Sequence, residues 1–319
     1  MKRLLIATMA TLAIAGCSQN EDAENAISKS AISFSTVVGK ATKATPMVTA
    51  NFAEFKVYAY DTENVFAADT DLSSVFMNGV AVTKSASVWN AAGGPFYWPA
   101  AGKVQFFAYS PAVNVTGYAA TTGYPSFSYT IQDAQEDLLT ATAFDKSKNG
   151  NAVPLTFKHI LTQINFSANL EAGFNYVITN IEIAGVNNAG TYKYATDNGT
   201  WTVTTPADAV SYTYAGKFDA TPAGDGVANF STGANALLLM PQTLPAGAKI
   251  NVTYTATATT GNKVETFNGT KSVDIAGTAW ELGKNIRYIL TLPNDAEAVS
   301  FAPAVDEWVE ATDTPQTPA

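Results

Sequence analysis

Short runs in which apolar and polar residues alternate recur from residue 32 onward, and clusters of Gly, Pro, Asn and Asp separate them. Examples are FKVYAY at 55–60, VQFFAY at 104–109 and SFSYTI at 126–131. A period of two places every second side chain on one face of a strand. No long segment keeps the 3.6-residue period of a helix, and only residues 132–139 fit a helical turn or two. The pattern predicts an all-β chain with β-sandwich architecture.

The composition agrees with a folded β protein that does not bind nucleic acid. Hydrophobic residues make up 47% of the chain and charged residues only 14%, so we expect a packed core. Thr, Val, Tyr and Phe are abundant, and these residue types favour a pleated, half-buried surface. The net charge of −9 and the pI of about 4.6 argue against a nucleic-acid partner.

The N-terminus has the pattern of a bacterial lipoprotein signal. A basic dipeptide precedes the apolar residues 4–15, which are too few to span a bilayer, and the segment ends in Ile-Ala-Gly followed by Cys17. We predict that residues 1–16 are a signal peptide, that Cys17 carries the lipid, including palmitate, and that the polar residues 17–30 form a flexible tether. The alternative is an ordinary secretory signal with an incidental cysteine.

Few residues are available for catalysis or metal binding. Cys17 is the only cysteine and His159 the only histidine, so neither a disulfide nor a His/Cys metal site can be built within one chain. No nucleophile elbow, P-loop or dinucleotide fingerprint is present. Glu136 and Asp137 are adjacent carboxylates, which usually lie in solvated turns, and we expect His159 to be structural. The sequence therefore predicts no enzyme, no catalytic residue, no metal and no cofactor.

The spacing of polar clusters predicts the domain limits. The polar segment KSKNGN at 146–151 is the best linker, so we predict an N-terminal β-sandwich domain at 31–150 and a C-terminal one at 151–311. Residues 312–319 carry no apolar side chains apart from the terminal alanine and are predicted to be a disordered tail.

Several segments resemble, in order along the chain, the sequence blocks of the fimbrillin family of Bacteroidales, which comprises type V pilus subunits and fimbrillin-like surface lipoproteins. The segments are FYWP at 96–99 with VQFFAYSP at 104–111, QEDLLTA at 135–141, VPLTFKHILTQINF at 153–166, LLLMPQ at 237–242, WELGKNIRYILTL at 280–292 and VDEW at 305–308. Their aromatic residues are expected to be core residues. The resemblance implies two tandem transthyretin-like β-sandwich domains.

The resemblance also implies a mode of assembly. A subunit of this family is exported as a lipoprotein, displayed on the outer membrane, and cut by a trypsin-like surface protease that removes its first strand. A donor strand from another subunit then fills the open groove by β-augmentation. The implied partners are other fimbrial subunits in a head-to-tail polymer, the outer membrane through the lipid anchor, the protease, and a host or bacterial surface receptor.

Each part of this scheme has a candidate in the chain. The removable first strand is represented by Ile32, Phe34, Thr36 and Val38, which alternate with Ser33, Ser35 and Val37. The processing candidates are Lys40 and Lys43, in a small, basic connection where the family often carries arginine. The donor-strand candidates are Val299, Phe301, Pro303 and Val305, with Pro303 suited to an edge or inserted strand.

Other interpretations of the same residues stay open. Both terminal strands could simply complete their own domains. The chain could be a non-polymerising surface lipoprotein that binds a glycan or a host protein through exposed aromatic residues near Tyr118 and Tyr124. It could also be a pilus anchor that keeps its lipid. Stalk, tip and anchor positions all fit the sequence.

Overall fold

The computed structural model describes residues 30–38, 51–112, 114–205, 210–220, 227–230, 235–295 and 297–307. Within these ranges it has strands and no helix, so no helix there is long and apolar enough to cross a membrane. The strands are β1 (Phe34–Val38), β2 (Glu54–Thr62), β3 (Val75–Ser85), β4 (Val88–Ala91), β5 (Lys103–Ser110), β6 (Val115–Ala119), β7 (Ser126–Thr130), β8 (Leu139–Lys146), β9 (Val153–His159), β10 (Thr162–Leu170), β11 (Phe174–Val186), β12 (Ala189–Lys193), β13 (Thr200–Thr204), β14 (Val210–Tyr214), β15 (Phe218–Ala220), β16 (Val227–Asn229), β17 (Leu237–Leu239), β18 (Gln242–Thr243), β19 (Lys249–Ala258), β20 (Glu265–Asp274), β21 (Ala279–Trp280), β22 (Lys284–Leu292) and β23 (Ser300–Glu307).

The all-β prediction is confirmed, and one local expectation is wrong. Residues 132–139 do not form a helical turn; they form a loop with a single turn before β8 begins at Leu139. The loop is held from outside the segment, because the Gln135 side-chain oxygen accepts a hydrogen bond from the Leu238 amide at 2.7 Å. A bond to a distant strand overrides the weak helical preference of the segment.

The largest sheet is seven-stranded, in the order β1-β9-β8-β5-β2-β3-β4. Its β5 is buried on both faces: Phe106 and Ala108 contact one hydrophobic core, which we call the β1 core, whereas Phe107 and Tyr109 contact a second core, which we call the main core. Burial on both faces explains why β5 reads as a nearly continuous apolar run. The four-stranded sheet β13-β12-β7-β6 packs on the main-core side through residues such as Phe127.

The other half of the chain forms three further sheets. Two are five-stranded: β16-β10-β22-β23 with β17 beside β10, and β14-β11-β19-β20 with β15 beside β11; the third is the two-stranded sheet β18-β21. The main core continues from the first half into these sheets. Only Ile160 and Leu161 separate β9 from β10; both are buried, and the Trp201 indole donates a hydrogen bond to the Ile160 carbonyl at 2.7 Å. The passage between the two halves is therefore short and packed on all sides.

The sheets do not divide at residue 150, where the sequence predicts a domain boundary. β8 and β9 lie on either side of that residue and are paired at Leu139↔His159 and Thr140↔Lys158. β12 lies further along the chain and pairs with β7. Strands on both sides of residue 150 thus share two sheets, and the sheet pattern gives no support to a cut there. The arrangement in two tandem domains stays a prediction.

Candidate functional site

β1 is an edge strand, and its side chains help to close the β1 core. It pairs with β9 in parallel, from Phe34↔Val153 to Val38↔Phe157. Of the four residues predicted to form its inner face, Phe34 and Val38 are buried, Ile32 packs half-buried against the same core, and Thr36 is only partly covered. The chain thus inserts two large apolar side chains from an edge position.

The backbone that leads into β1 is hydrogen-bonded on both sides. The Val153 amide donates to the Ser33 carbonyl at 2.8 Å, which begins the ladder to β9. On the opposite side, the Ile32 amide donates to the Phe96 carbonyl at 2.7 Å, and the Trp98 amide donates to the Ser30 carbonyl at 3.1 Å. The FYWP segment therefore holds the residues that immediately precede β1, which is a role that its aromatic composition did not reveal.

Without β1, the core beneath it would be open to solvent. The Phe34 ring lies edge-on to Phe55 at 5.6 Å and to Phe106 at 6.0 Å between centroids, and both of those rings are fully buried. The backbone edge of β9 would also lose its partner strand. An apolar trench beside an unpaired strand edge is the surface that an added strand can complete.

β23 is the matching feature at the other end of the chain, an edge strand antiparallel to β22. Phe301, Pro303 and Val305 lie opposite Leu290, Tyr288 and Ile286, so they share the face that points to the main core. Val299 is buried beside them, and the Phe301 ring lies 5.4 Å from that of Tyr288. Pro303 and Val305 are exposed, with Val305 at 59%. The apolar face of β23 is therefore only half covered.

The remaining predicted assembly residues lie outside the described part of the chain. These are Cys17, Lys40 and Lys43, together with the signal peptide at 1–16, the tail at 312–319 and all of the tether at 17–30 except Ser30. The connection that contains both lysines joins β1 to residue 51.

His159 is a buried structural residue, and its partner was not expected. Its Nδ1 lies 3.0 Å and 2.9 Å from the two carboxylate oxygens of Asp137, and both side chains are buried. The expectation that Asp137 lies in a solvated turn is wrong. The two buried leucines that follow it, Leu138 and Leu139, were the available signal, because a carboxylate beside a buried apolar pair needs a polar partner.

The tyrosines suggested as an exposed platform are partly buried in the core. Tyr118 stacks on Tyr58 with 3.5 Å between centroids, and burial raises the pKa of Tyr118 well above its usual value. Tyr124 packs edge-on against Phe66 at 5.0 Å and shares a hydrogen bond with Thr196 at 2.5 Å. Both rings are therefore partly engaged in contacts within the chain and are not fully exposed aromatic residues.

A small polar cleft opens where β8 and β9 separate. It has a volume of about 160 Å³ and is lined by Thr140, Thr142, Thr156, Lys158 and Asn198, among others. The Lys158 ammonium donates to the Asn198 side-chain oxygen at 3.5 Å. Across the described ranges, no group of three or more His, Cys, Asp or Glu side chains is placed to hold a metal ion.

Comparison with known proteins gives consistent likenesses. The model of the fimbrillin-like family matches residues 40–308. The chain is similar to fimbrium subunit Fim1C of Phocaeicola vulgatus, with 24% identity over 97% of each protein. Among solved structures, it is similar to a fimbrial protein from Bacteroides vulgatus (TM-score 0.67, 17% identity, 87% of this chain and 99% of that chain). A candidate cell adhesion protein from Bacteroides uniformis gives a TM-score of 0.52 at 18% identity, covering 88% of this chain and 98% of that chain.

Proposed function

The chain belongs to the fimbrillin-like family, and we propose that it is a fimbrial subunit that assembles by donor-strand exchange after a protease removes its first strand. Family membership gives the coarse role, which is structural or adhesive in a cell-surface fimbria. The finer mechanism is our proposal. In it, Cys17 carries a lipid that holds the exported chain on the outer membrane, and cleavage after Lys40 or Lys43 releases everything before the cut.

The observation that carries the proposal is the position of β1. It is an edge strand that fills a core, and the connection with the lysines follows it directly. Burial of Phe34 and Val38 contributes on the order of 5 kcal/mol at about 25 cal/mol per Å². Loss of that contribution, together with the ladder to β9, gives a cleaved subunit a strong drive to bind another apolar strand.

The test of the proposal is the N-terminus of the protein in sheared surface material, measured by mass spectrometry. A start at Ala41 or Ala44 is the expected result, and the double variant Lys40→Ala, Lys43→Ala should keep acylated Cys17. If wild-type surface polymers begin at Cys17, the processing step is wrong.

The donor strand is tested separately by deleting residues 299–319. The truncated subunit should reach the surface and be cleaved, yet fail to form polymers. A polymer of normal length from this deletion would assign the donor strand to another part of the chain.

A non-polymerising binding lipoprotein is the second candidate. It predicts an intact acylated N-terminus and no polymer. Tyr118 and Tyr124 are half-buried and packed on other rings, which counts against the exposed aromatic platform that this interpretation invokes. An anchor subunit keeps its lipid but still accepts a donor strand. It therefore differs from a stalk subunit only in its N-terminus, as measured by mass spectrometry.

A further inference from the structure

The first and last described strands have closely similar sequences when they are read in the same direction. Residues 32–38 are ISFSTVV and residues 299–305 are VSFAPAV. Ser, Phe and the final Val are identical at matching positions, and the leading residue is a β-branched aliphatic in both. The similarity includes Phe34 and Val38, the two side chains of β1 that are buried in the β1 core. β23 thus carries the residues that the place of β1 requires.

We infer that β23 of a second copy of this chain takes the place of β1 in the same direction and in one register. Phe301 then occupies the site of Phe34, and Val305 the site of Val38. The inference rests on the proposed donor-strand function and adds the orientation and the residue alignment of the donor. Read in the opposite direction, the two sequences do not align in this way.

The backbone of β9 gives an independent reason for the parallel direction. Because the Val153 amide donates to the Ser33 carbonyl, while Phe34 is the register partner of Val153, the residues of β1 that bond β9 are Ser33, Ser35 and Val37. The amides of Phe34, Thr36 and Val38 point away from β9. In the inferred register Pro303 takes the place of Thr36, where the amide that proline lacks is not used by β9.

An antiparallel donor meets a conflict at the same proline. Its inward side chains would lie opposite Val153, Leu155 and Phe157, whose backbone groups are directed at this edge. In an antiparallel pair, two opposite residues whose backbone groups point at each other exchange two hydrogen bonds, so each of them must donate its own amide. Pro303 has none, so one bond of the ladder would be lost.

The partial exposure of the apolar face of β23 in the single chain is consistent with a strand that binds a groove on a second copy. Pro303 and Val305 point to the core side of their sheet and are nevertheless exposed. In the inferred register both would lie over the β1 core. If the register, which ends at Val38 beside Phe157, is continued by one residue, Asp306 of the donor comes level with Lys158 on β9, and their opposite charges favour this alignment.

Cysteine pairs on the outer face of the joint test the direction and the register together. In the inferred alignment Ala302 lies beside Pro154 and Ala304 beside Thr156, at a spacing that suits a disulfide. The outer positions on β9 are exposed, so the substitutions leave the core intact. The native cysteine, Cys17, precedes the cleavage candidates and is absent from processed subunits. Four double variants combine Ala302→Cys or Ala304→Cys with Pro154→Cys or Thr156→Cys, all in the full chain.

The expected result is a ladder of covalent polymers on non-reducing gels for the matched pairs, 302 with 154 and 304 with 156, and none for the crossed pairs. Ladders from both crossed pairs would show an antiparallel donor, and a ladder from only one crossed pair would show a shift of two residues. Either result overturns the inference and leaves donor-strand assembly standing. Wild-type polymers with no ladder from any pair would also overturn it. If the wild type forms no polymer at all, the proposed function has failed instead.

Discussion

Replacing Phe34 and Phe301 by alanine should have opposite effects before and after assembly. In the single uncleaved chain the Phe34 ring is only 7% exposed and contacts two fully buried rings, so Phe34→Ala should lower the free energy of unfolding by about 3–5 kcal/mol. The Phe301 ring is partly exposed at a sheet edge, so Phe301→Ala should cost about half as much, roughly 1–2 kcal/mol. In the proposed polymer β1 has been removed and Phe301 occupies the site of Phe34, so Phe301→Ala should carry the larger cost there.

Two assays separate these effects. Urea unfolding of the purified uncleaved chain gives the first pair of values from the shift in midpoint at constant slope. Dissociation of preformed polymers across a urea series gives the second pair. A loss of about 3–5 kcal/mol lowers the association constant of each joint by a factor of roughly 10² to several times 10³. Phe34→Ala serves as the matched control, because polymers of processed subunits no longer contain that residue. The reasoning is refuted if Phe301→Ala weakens the uncleaved chain more than it weakens the polymer.

Three further predictions follow from particular contacts. Asp137→Ala should lower the free energy of unfolding by about 3 kcal/mol, since it leaves His159 buried without this partner. Asp137→Asn keeps a hydrogen-bond acceptor beside His159 and should cost less. Equal urea midpoints for the two variants would contradict this prediction. Burial raises the pKa of Tyr118 well above its usual value and that of Tyr212 to about 12. In the unfolded chain the tyrosine side chains ionise near pH 10, so the stability that these buried tyrosines contribute is present below about pH 10 and should be lost as the pH rises towards about 12. Urea midpoints that stay constant over this range would contradict the prediction. Lys158→Glu should reduce polymer yield and the added Asp306→Lys should restore it; a double variant no better than the single would exclude the charge pair.

The local parts of the fold could be predicted from the sequence, and the pairings between distant strands could not. Alternation is a property of neighbouring residues, so the runs at 55–60, 104–109 and 126–131 were placed within a residue or two of β2, β5 and β7. The resemblance to the fimbrillin family is confirmed by the family match. The parallel pairing of β1 with β9 joins segments more than a hundred positions apart, and no local pattern encodes it.

The candidate site shows the same division. The apolar alternation of β1 and β23 was visible in the sequence, and their roles remain proposals. Alternation alone made Thr36 equivalent to Phe34, whereas Thr36 is only partly covered. The Asp137 to His159 contact was missed because it depends on how the loop before β8 folds over the end of β9, which is a tertiary event.

Under the proposed mechanism, the likeness of β1 to β23 also gives a physical reason why assembly would wait for cleavage. If the two strands have similar intrinsic affinity for the groove, covalent attachment decides which one binds. A tethered β1 has an effective concentration on the order of 1 mM, whereas a second copy at about 1 μM is a thousandfold more dilute, a difference of about 4 kcal/mol in favour of the closed chain. Cleavage between β1 and residue 51 removes that advantage without changing the groove.

A synthetic peptide of residues 299–307 should therefore bind the cleaved chain from which β1 has been removed, and should bind the uncleaved chain far more weakly, because the tethered β1 competes for the same groove. Fluorescence anisotropy of the labelled peptide measures both affinities. A peptide with the same residues in reverse order is the matched control, because it has the same composition but, when it binds in the parallel direction, places its side chains in the opposite order. Equal binding to cleaved and uncleaved chains would mean that β1 does not guard the groove, since a free strand could then enter while β1 is still attached.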